Sequence, residues 1–166
     1  MTEWTLKDGE RLDDLVRDGM RLIQRPDQFC FSVDSVLLAH YVKPKAKDRI
    51  ADLGTGTGVI SLLVSALGGR DITAFEVNPV MADLARRNIA GNGKEDRIHV
   101  IECDYRKVNE RFPSGSFSLV LANPPYREMG TGKMSMLEGV ASASYEMNAS
   151  LTDVFKTAQY LLKYGG

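Results

Sequence analysis

From Arg49 the chain runs through a short apolar segment, Ile50-Ala51-Asp52-Leu53, straight into alternating glycines at 54, 56 and 58, and then into the apolar stretch Val59 to Leu67. This order constrains the fold more than any other feature. A buried strand must end at the glycines and a helix must begin after them. Glycine tolerates positive φ and allows another molecule to approach the backbone closely. A dinucleotide fingerprint would read G-x-G-x-x-G, but Val59 stands where its third glycine belongs. The spacing therefore disfavours a dehydrogenase. Taken alone, the run is compatible with a simple tight turn.

The same alternation continues. Ser32 to Val42 has helical spacing and stops before Pro44, and Gly68-Gly69 closes the helix that begins at Val59. Ile72 to Phe75 reads as a strand, and Asn78-Pro79 opens a helix to about Ala90, with proline in its first turn. Ile98 to Glu102 and Phe117 to Ala122 read as further strands, and Leu151 to Leu162 as a last helix. Residues 11–25 read as a short helix or a strand pair with basic positions. This succession predicts a doubly wound α/β domain. Ligands on such sheets bind beyond the carboxyl ends of the strands. Those ends carry Asp52 to Gly54, Glu76, Asp104 and Asn123.

Each polar residue has a chemical use and a plainer one. Glu76 can accept both hydroxyl hydrogens of a ribose, or it can cap a helix or face solvent. Asp104 can accept a hydrogen from an adenine amino group, or it can be an ordinary loop aspartate. Asn123-Pro124-Pro125-Tyr126 is the most specific segment. Its prolines end a strand sharply and stiffen the turn. Asn123 Oδ1 and the Pro124 carbonyl can then accept the two hydrogens of an exocyclic amino group, favouring attack by the nitrogen lone pair. Tyr126 offers a flat face for a base to stack on.

Together, Asp52 to Gly58, Glu76, Asp104 and Asn123 to Tyr126 resemble the class I methyltransferases that modify adenine N6 or the glutamine amide nitrogen. The segment Gln24 to Ala39, followed by this core, resembles more narrowly the bacterial tRNA (adenine-N6)-methyltransferases that modify the anticodon-adjacent adenine of a valine tRNA. The resemblance runs from about Leu12 to the end. It implies a doubly wound, Rossmann-like class I fold with S-adenosylmethionine held by Asp52, Gly54, Gly56, Gly58, Glu76 and Asp104. It also implies that Asn123, Pro124 and Tyr126 are catalytic. Phe31, Ser32 and Asp34 would lie beside the methionine part of the cofactor, although Asp34 could instead cap its own helix. The expected substrate is tRNA. The alternatives are a protein glutamine amide, DNA adenine, or a non-catalytic fragment that binds cofactor or RNA.

Two departures from the family pattern stand out. Ala143-Ser144-Tyr145-Glu146 replaces a segment resembling Ala-Arg-His-Glu. The family's sheet has seven strands, whereas this sequence stops at Gly165-Gly166, where a fifth sheet strand should begin. The expectation is a core that lacks its C-terminal strands and has an open edge on its fourth strand. The division expected is a basic, helical segment over 1–45 and a methyltransferase core over 46–166.

Composition narrows the alternatives. The chain has 166 residues, 43% hydrophobic and 26% charged, with a net charge of -1, as expected for one globular domain. Arg11, Arg17, Arg21 and Arg25, and then Lys43, Lys45, Lys47 and Arg49, form local basic clusters that suit either a solvated face or a phosphate-binding patch. Cys30 and Cys103 have no zinc-ligand spacing and fit a reducing compartment, so no metal is expected. His40 and His99 read as ordinary packed or surface residues. Gly130-Thr131-Gly132-Lys133 lacks the remaining residues of a phosphate loop and reads as part of a substrate loop. No signal pattern begins the sequence, and Val59 to Leu67 is too short to cross a bilayer, so the expected location is cytoplasmic, without membrane association.

Overall fold

The computed structural model describes residues 4–28, 30–124 and 150–166. It opens with an antiparallel hairpin, β1 (Arg11–Asp14) and β2 (Arg21–Gln24), in which Leu12 faces Ile23 across the pair. Of the two readings for residues 11–25, the strand pair is the one that forms. Helix α1 (Val33–Tyr41) follows, then β3 (Arg49–Leu53), α2 (Val59–Ala66), β4 (Asp71–Glu76), α3 (Pro79–Gly91) and β5 (Ile98–Glu102). A 3-10 helix (Tyr105–Glu110), which the sequence pattern had not suggested, leads to β6 (Leu119–Ala122). Helix α4 (Leu151–Leu161) closes the chain.

The four strands β3 to β6 form a parallel sheet in the order β5-β4-β3-β6. The chain winds outward from β3 through β4 to β5, then crosses to the other side of β3. That reversal creates the crevice at which α/β sheets bind ligands. Each strand has both faces covered. Ile50, Ile72, Ala74, Ile98 and Leu121 pack beneath α1, α2 and Ile89 of α3. Ala51, Leu53 and Phe75 pack on the opposite side with Val108, Phe117, Val154 and Leu161. The strict alternation of Ile50 with Ala51 and of Ala74 with Phe75 is the period-two signature of a strand, and burial on both sides explains the nearly continuous apolar runs. Phe75 sits edge-on to Phe112 and Phe117, with ring centroids 5.6 and 6.2 Å away.

The N-terminal segment shares this core. Met20, Leu22 and Ala39 are buried in the same cluster as Ile50 and Leu62. Two asparagines one helical turn apart, Asn88 within α3 and Asn92 at its C-cap, hold β2. Asn88 accepts from Ile23 N at 2.6 Å and donates to Ile23 O at 3.0 Å, while Asn92 does the same for Arg21 at 3.0 and 2.7 Å. Residues 21 and 23 point the same way along a strand, and residues 88 and 92 share one helix face. The two amides therefore act as an extra strand edge for β2.

Beside β6, a parallel bridge joins Phe117 to Leu162, and Lys163 N donates to Phe117 O at 2.9 Å. Chain therefore already runs alongside the base of the strand whose edge was expected to be open. Among the described residues, no helix is long and apolar enough to cross a membrane, and no group of three or more His, Cys, Asp or Glu forms a metal site.

Candidate active site

A cleft opens at the carboxyl ends of the sheet strands. Its walls are built from Leu53 to Thr57 after β3, Glu76 and Val77 after β4, Asp104 to Arg106 after β5, and Asn123 and Pro124 after β6. Phe31 and Ser35 close it from the N-terminal side and Met81 from α3.

The glycine turn is fixed from below and from the side. Gly54 N and Thr55 N both donate to Phe75 O at 2.9 Å. Gly54 has φ +69°, and a methyl group placed on it would meet no atom of the described residues within 4 Å. Packing of the described residues thus leaves space over Gly54, as a ligand lying against the backbone would require. Gly58 is different. It is the N-cap of α2 at φ +86°, close to Ala85, and it does not line the cleft.

Asp52 also departs from its expected role as a direct ligand. It is wholly buried outside the cleft lining, and its Oδ2 accepts from Thr55 Oγ1 and Ser61 Oγ, both at 2.7 Å. Asp52 therefore clamps the turn to the start of α2. Its Oδ1 has no hydrogen-bond partner among the described residues. Burial pushes its pKa above the ordinary aspartate range, against the pull of the Ser61 and Thr55 hydroxyls.

Glu76 is 2% exposed and faces the cleft. Its two oxygens accept from Gly56 N and Asn78 N, each at 2.8 Å, which ties the glycine turn to the start of α3. Glu76 does not cap α3. Asn78 does, accepting from Val80 N and Met81 N, with Pro79 in the first turn.

Asp104 lines the cleft and also caps the 3-10 helix by accepting from Arg106 N at 3.0 Å. The Arg106 side chain grips the same carboxylate, at 2.5 Å from Nη2. This contact holds the pKa of Asp104 below the usual carboxylate range. Arg106 was not picked out from the sequence, where nothing but its position two residues after Asp104 could have signalled it.

Ser32 and Asp34 do not reach the cleft lining. Ser32 is the N-cap of α1 without a side-chain capping bond, and Asp34 sits in the first turn. Phe31 and Ser35, on either side of that pair, are the residues that line the cleft. Phe31 N donates at 3.0 Å to Gln24 Oε1, and the buried Gln24 also donates to Asp13. Asn123 Nδ2 donates to Ser35 Oγ at 3.0 Å. Gln24 and Ser35 fall in the segment that carries the resemblance but were given no role of their own, because their partners are distant along the chain. Tyr126, the segment 143–146 and the Gly130–Lys133 segment lie outside the described residues.

The chain matches the methyltransferase small domain family over residues 20–152. It belongs to that family. Among relatives of this methyltransferase small domain, a Shewanella amazonensis protein described as tRNA1(Val) (adenine(37)-N6)-methyltransferase is 36% identical over 114 residues, 69% of this chain and 48% of its own length. A protein of the same description from Flavobacteriaceae bacterium strain 3519-10 is 31% identical over 144 residues, 86% of this chain and 59% of its own length. The chain spans about half the length of these curated relatives. Geranyl diphosphate C-methyltransferase of Streptomyces coelicolor, solved with S-adenosyl-L-homocysteine, superposes with a TM-score of 0.59 at 16% identity, covering 79% of this chain and 41% of that one. P. horikoshii TYW2 gives 0.55 at 23% identity, covering 68% and 42%. At these identities the likeness is one of fold.

Proposed function

We propose that this chain transfers a methyl group from S-adenosylmethionine to the exocyclic N6 of an adenine in tRNA. The observation that carries the reading is the convergence of Asn123 and Pro124 with Gly54, Gly56, Glu76 and Asp104 in one cleft. Family membership and the names of the relatives support it from a separate direction.

The residues present fit the cofactor. The space over Gly54 suits its methionine portion, the Glu76 carboxylate suits the two ribose hydroxyls, and Asp104 suits the adenine amino group. When bound, the cofactor supplies an electrophilic methyl: the substrate nitrogen's lone pair forms the N–C bond, the C–S pair leaves with sulfur as a neutral thioether, and the nitrogen sheds one proton to solvent. The chain's own part is positional. Asn123 Oδ1 and the Pro124 carbonyl accept the two amino hydrogens and hold the nitrogen with its lone pair exposed. As positive charge grows on that nitrogen, both acceptors stabilise it more strongly than in the ground state. Single-stranded anticodon loops present splayed bases, so no duplex need be opened.

The test is to incubate the protein with labelled S-adenosylmethionine, total tRNA and total cell protein, digest both and identify the labelled nucleoside or peptide. Label in N6-methyladenosine supports the reading. Label absent from RNA but present in a glutamine-containing peptide would replace it with amide methylation.

A further inference from the structure

A side-chain amide has an acceptor end and a donor end of nearly equal size, and a half-turn about its last torsion exchanges them. Only the acceptor end of Asn123 can take a hydrogen from an amino group. In the reverse orientation its NH₂ would confront the substrate NH₂, donor against donor. Packing does little to distinguish the two orientations, and an amide without an anchor would sample both. Among the described residues, the only partner of the Asn123 amide is Ser35, whose Oγ receives Nδ2 at 3.0 Å.

Ser35 is well placed to act as that anchor. It is 3% exposed and lies in the first turn of α1, where its own N–H is held by Ser32 O at 3.1 Å. The turn is fixed in place by Gln24, which accepts from Phe31 N, and by Ala39, which is fully buried in the core. A buried hydroxyl 88 residues away in sequence thus meets the Nδ2 end of the amide.

We propose that Ser35 is a positioning residue that anchors the Asn123 side chain in the cleft through Nδ2, leaving Oδ1 for the substrate nitrogen. The proposal rests on the role given to Asn123 above.

Two variants of the 166-residue chain test it. Ser35→Ala removes one buried oxygen, and Ser35→Thr keeps the hydroxyl. Each is assayed for methyl transfer to total tRNA, and each is ¹⁵N-labelled to follow the Asn123 side-chain NH₂ by NMR. Ser35→Ala should lower kcat about tenfold, the loss expected from one hydrogen bond in the transition state. KM for tRNA and affinity for S-adenosylmethionine should stay within about threefold, because the bond it supports strengthens mainly in the transition state. Ser35→Thr should recover most of the rate. In Ser35→Ala the Asn123 NH₂ signals should shift and lose protection from hydrogen exchange, while the backbone spectrum beyond the site is retained. A wild-type kcat in Ser35→Ala, or a loss confined to KM or cofactor affinity, overturns the proposal. If the wild-type chain itself methylates no RNA, the functional reading fails, and the NMR readout still decides the Ser35 contact: unmoved Asn123 NH₂ signals overturn it. If Ser35→Ala does not fold, Ser35→Cys, a weaker acceptor of similar shape, takes its place under the same outcomes.

Discussion

Asn123 follows β6 and Glu76 ends β4, on either side of β3, and their substitutions should separate chemistry from binding. Asn123→Ala should abolish methyl transfer while leaving S-adenosylmethionine affinity within a few-fold, as calorimetry and a turnover assay would show. Glu76→Ala should weaken the cofactor by about 1–3 kcal/mol, the usual cost of leaving buried polar partners unpaired. A large loss of cofactor affinity in Asn123→Ala would contradict the assignment. Asp52 makes a different prediction, because it is buried behind the glycine turn rather than within the cleft. Its folded-state pKa is raised by burial. Its contribution to stability is therefore complete below the ordinary aspartate pKa and is lost as pH rises through the folded value. The melting temperature of Asp52→Asn, relative to wild type, should rise as pH is raised from 4 toward neutrality, provided that Asn keeps the Thr55 and Ser61 bonds. A difference independent of pH would show that the carboxyl is not perturbed.

At the scale of elements, α3 organises the site without contributing chemistry. Its N-cap Asn78 is anchored by Glu76, and Asn88 donates to Thr57 O at 2.9 Å while pairing with Ile23. One side chain thereby links the glycine turn, α3 and the hairpin. Asn88→Ala should destabilise the protein by about 1–3 kcal/mol, since it strands buried backbone groups. Amide hydrogen exchange should show the greatest loss of protection in Arg21 to Gln24. Equal loss across the sheet would argue against this local role. The sheet strands and main helices were legible in the sequence because apolar periodicity, glycine and proline mark them directly. The hairpin was legible only as one of two options, since its four-residue strands are too short to declare a period. The 3-10 helix depends on Asp104 capping its own turn, a contact that apolar patterning does not encode.

Across the whole molecule, the segment before β1 is tied down by charge. Arg87 meets Glu10 at 2.6 Å and Asp83 at 3.4 Å, and Lys7 meets Asp83 at 2.7 Å. The bond from Arg87 holds the Glu10 pKa below its ordinary 4.5, and the bond from Lys7 lowers that of Asp83. Depressed carboxylate pKa values contribute stability that is present above the unfolded-state values and lost as pH falls through the folded ones. Trp4, the single tryptophan, packs against Gly91 and so reports on this segment. Its fluorescence should change in acid, and Arg87→Ala should move that change to higher pH; an unmoved transition would place the acid-sensitive contact elsewhere. The location of the site was legible for a related reason. Gly54, Glu76, Asp104 and Asn123 each follow a recognisable strand, and the topology of a parallel sheet gathers strand ends. The supports of the site were not legible. Ser35, Gln24 and Asn88 act through partners brought near only by folding, and Asp52 and Gly58 show that a residue in a binding motif can serve the turn itself. Methyl transfer to an adenine amino nitrogen is read out by digesting tRNA labelled by this protein from S-adenosylmethionine. The label should be recovered as N6-methyladenosine and should be lost with Asn123→Ala. Label in any other nucleoside, or none in RNA from a folded, cofactor-binding protein, would contradict the proposed function.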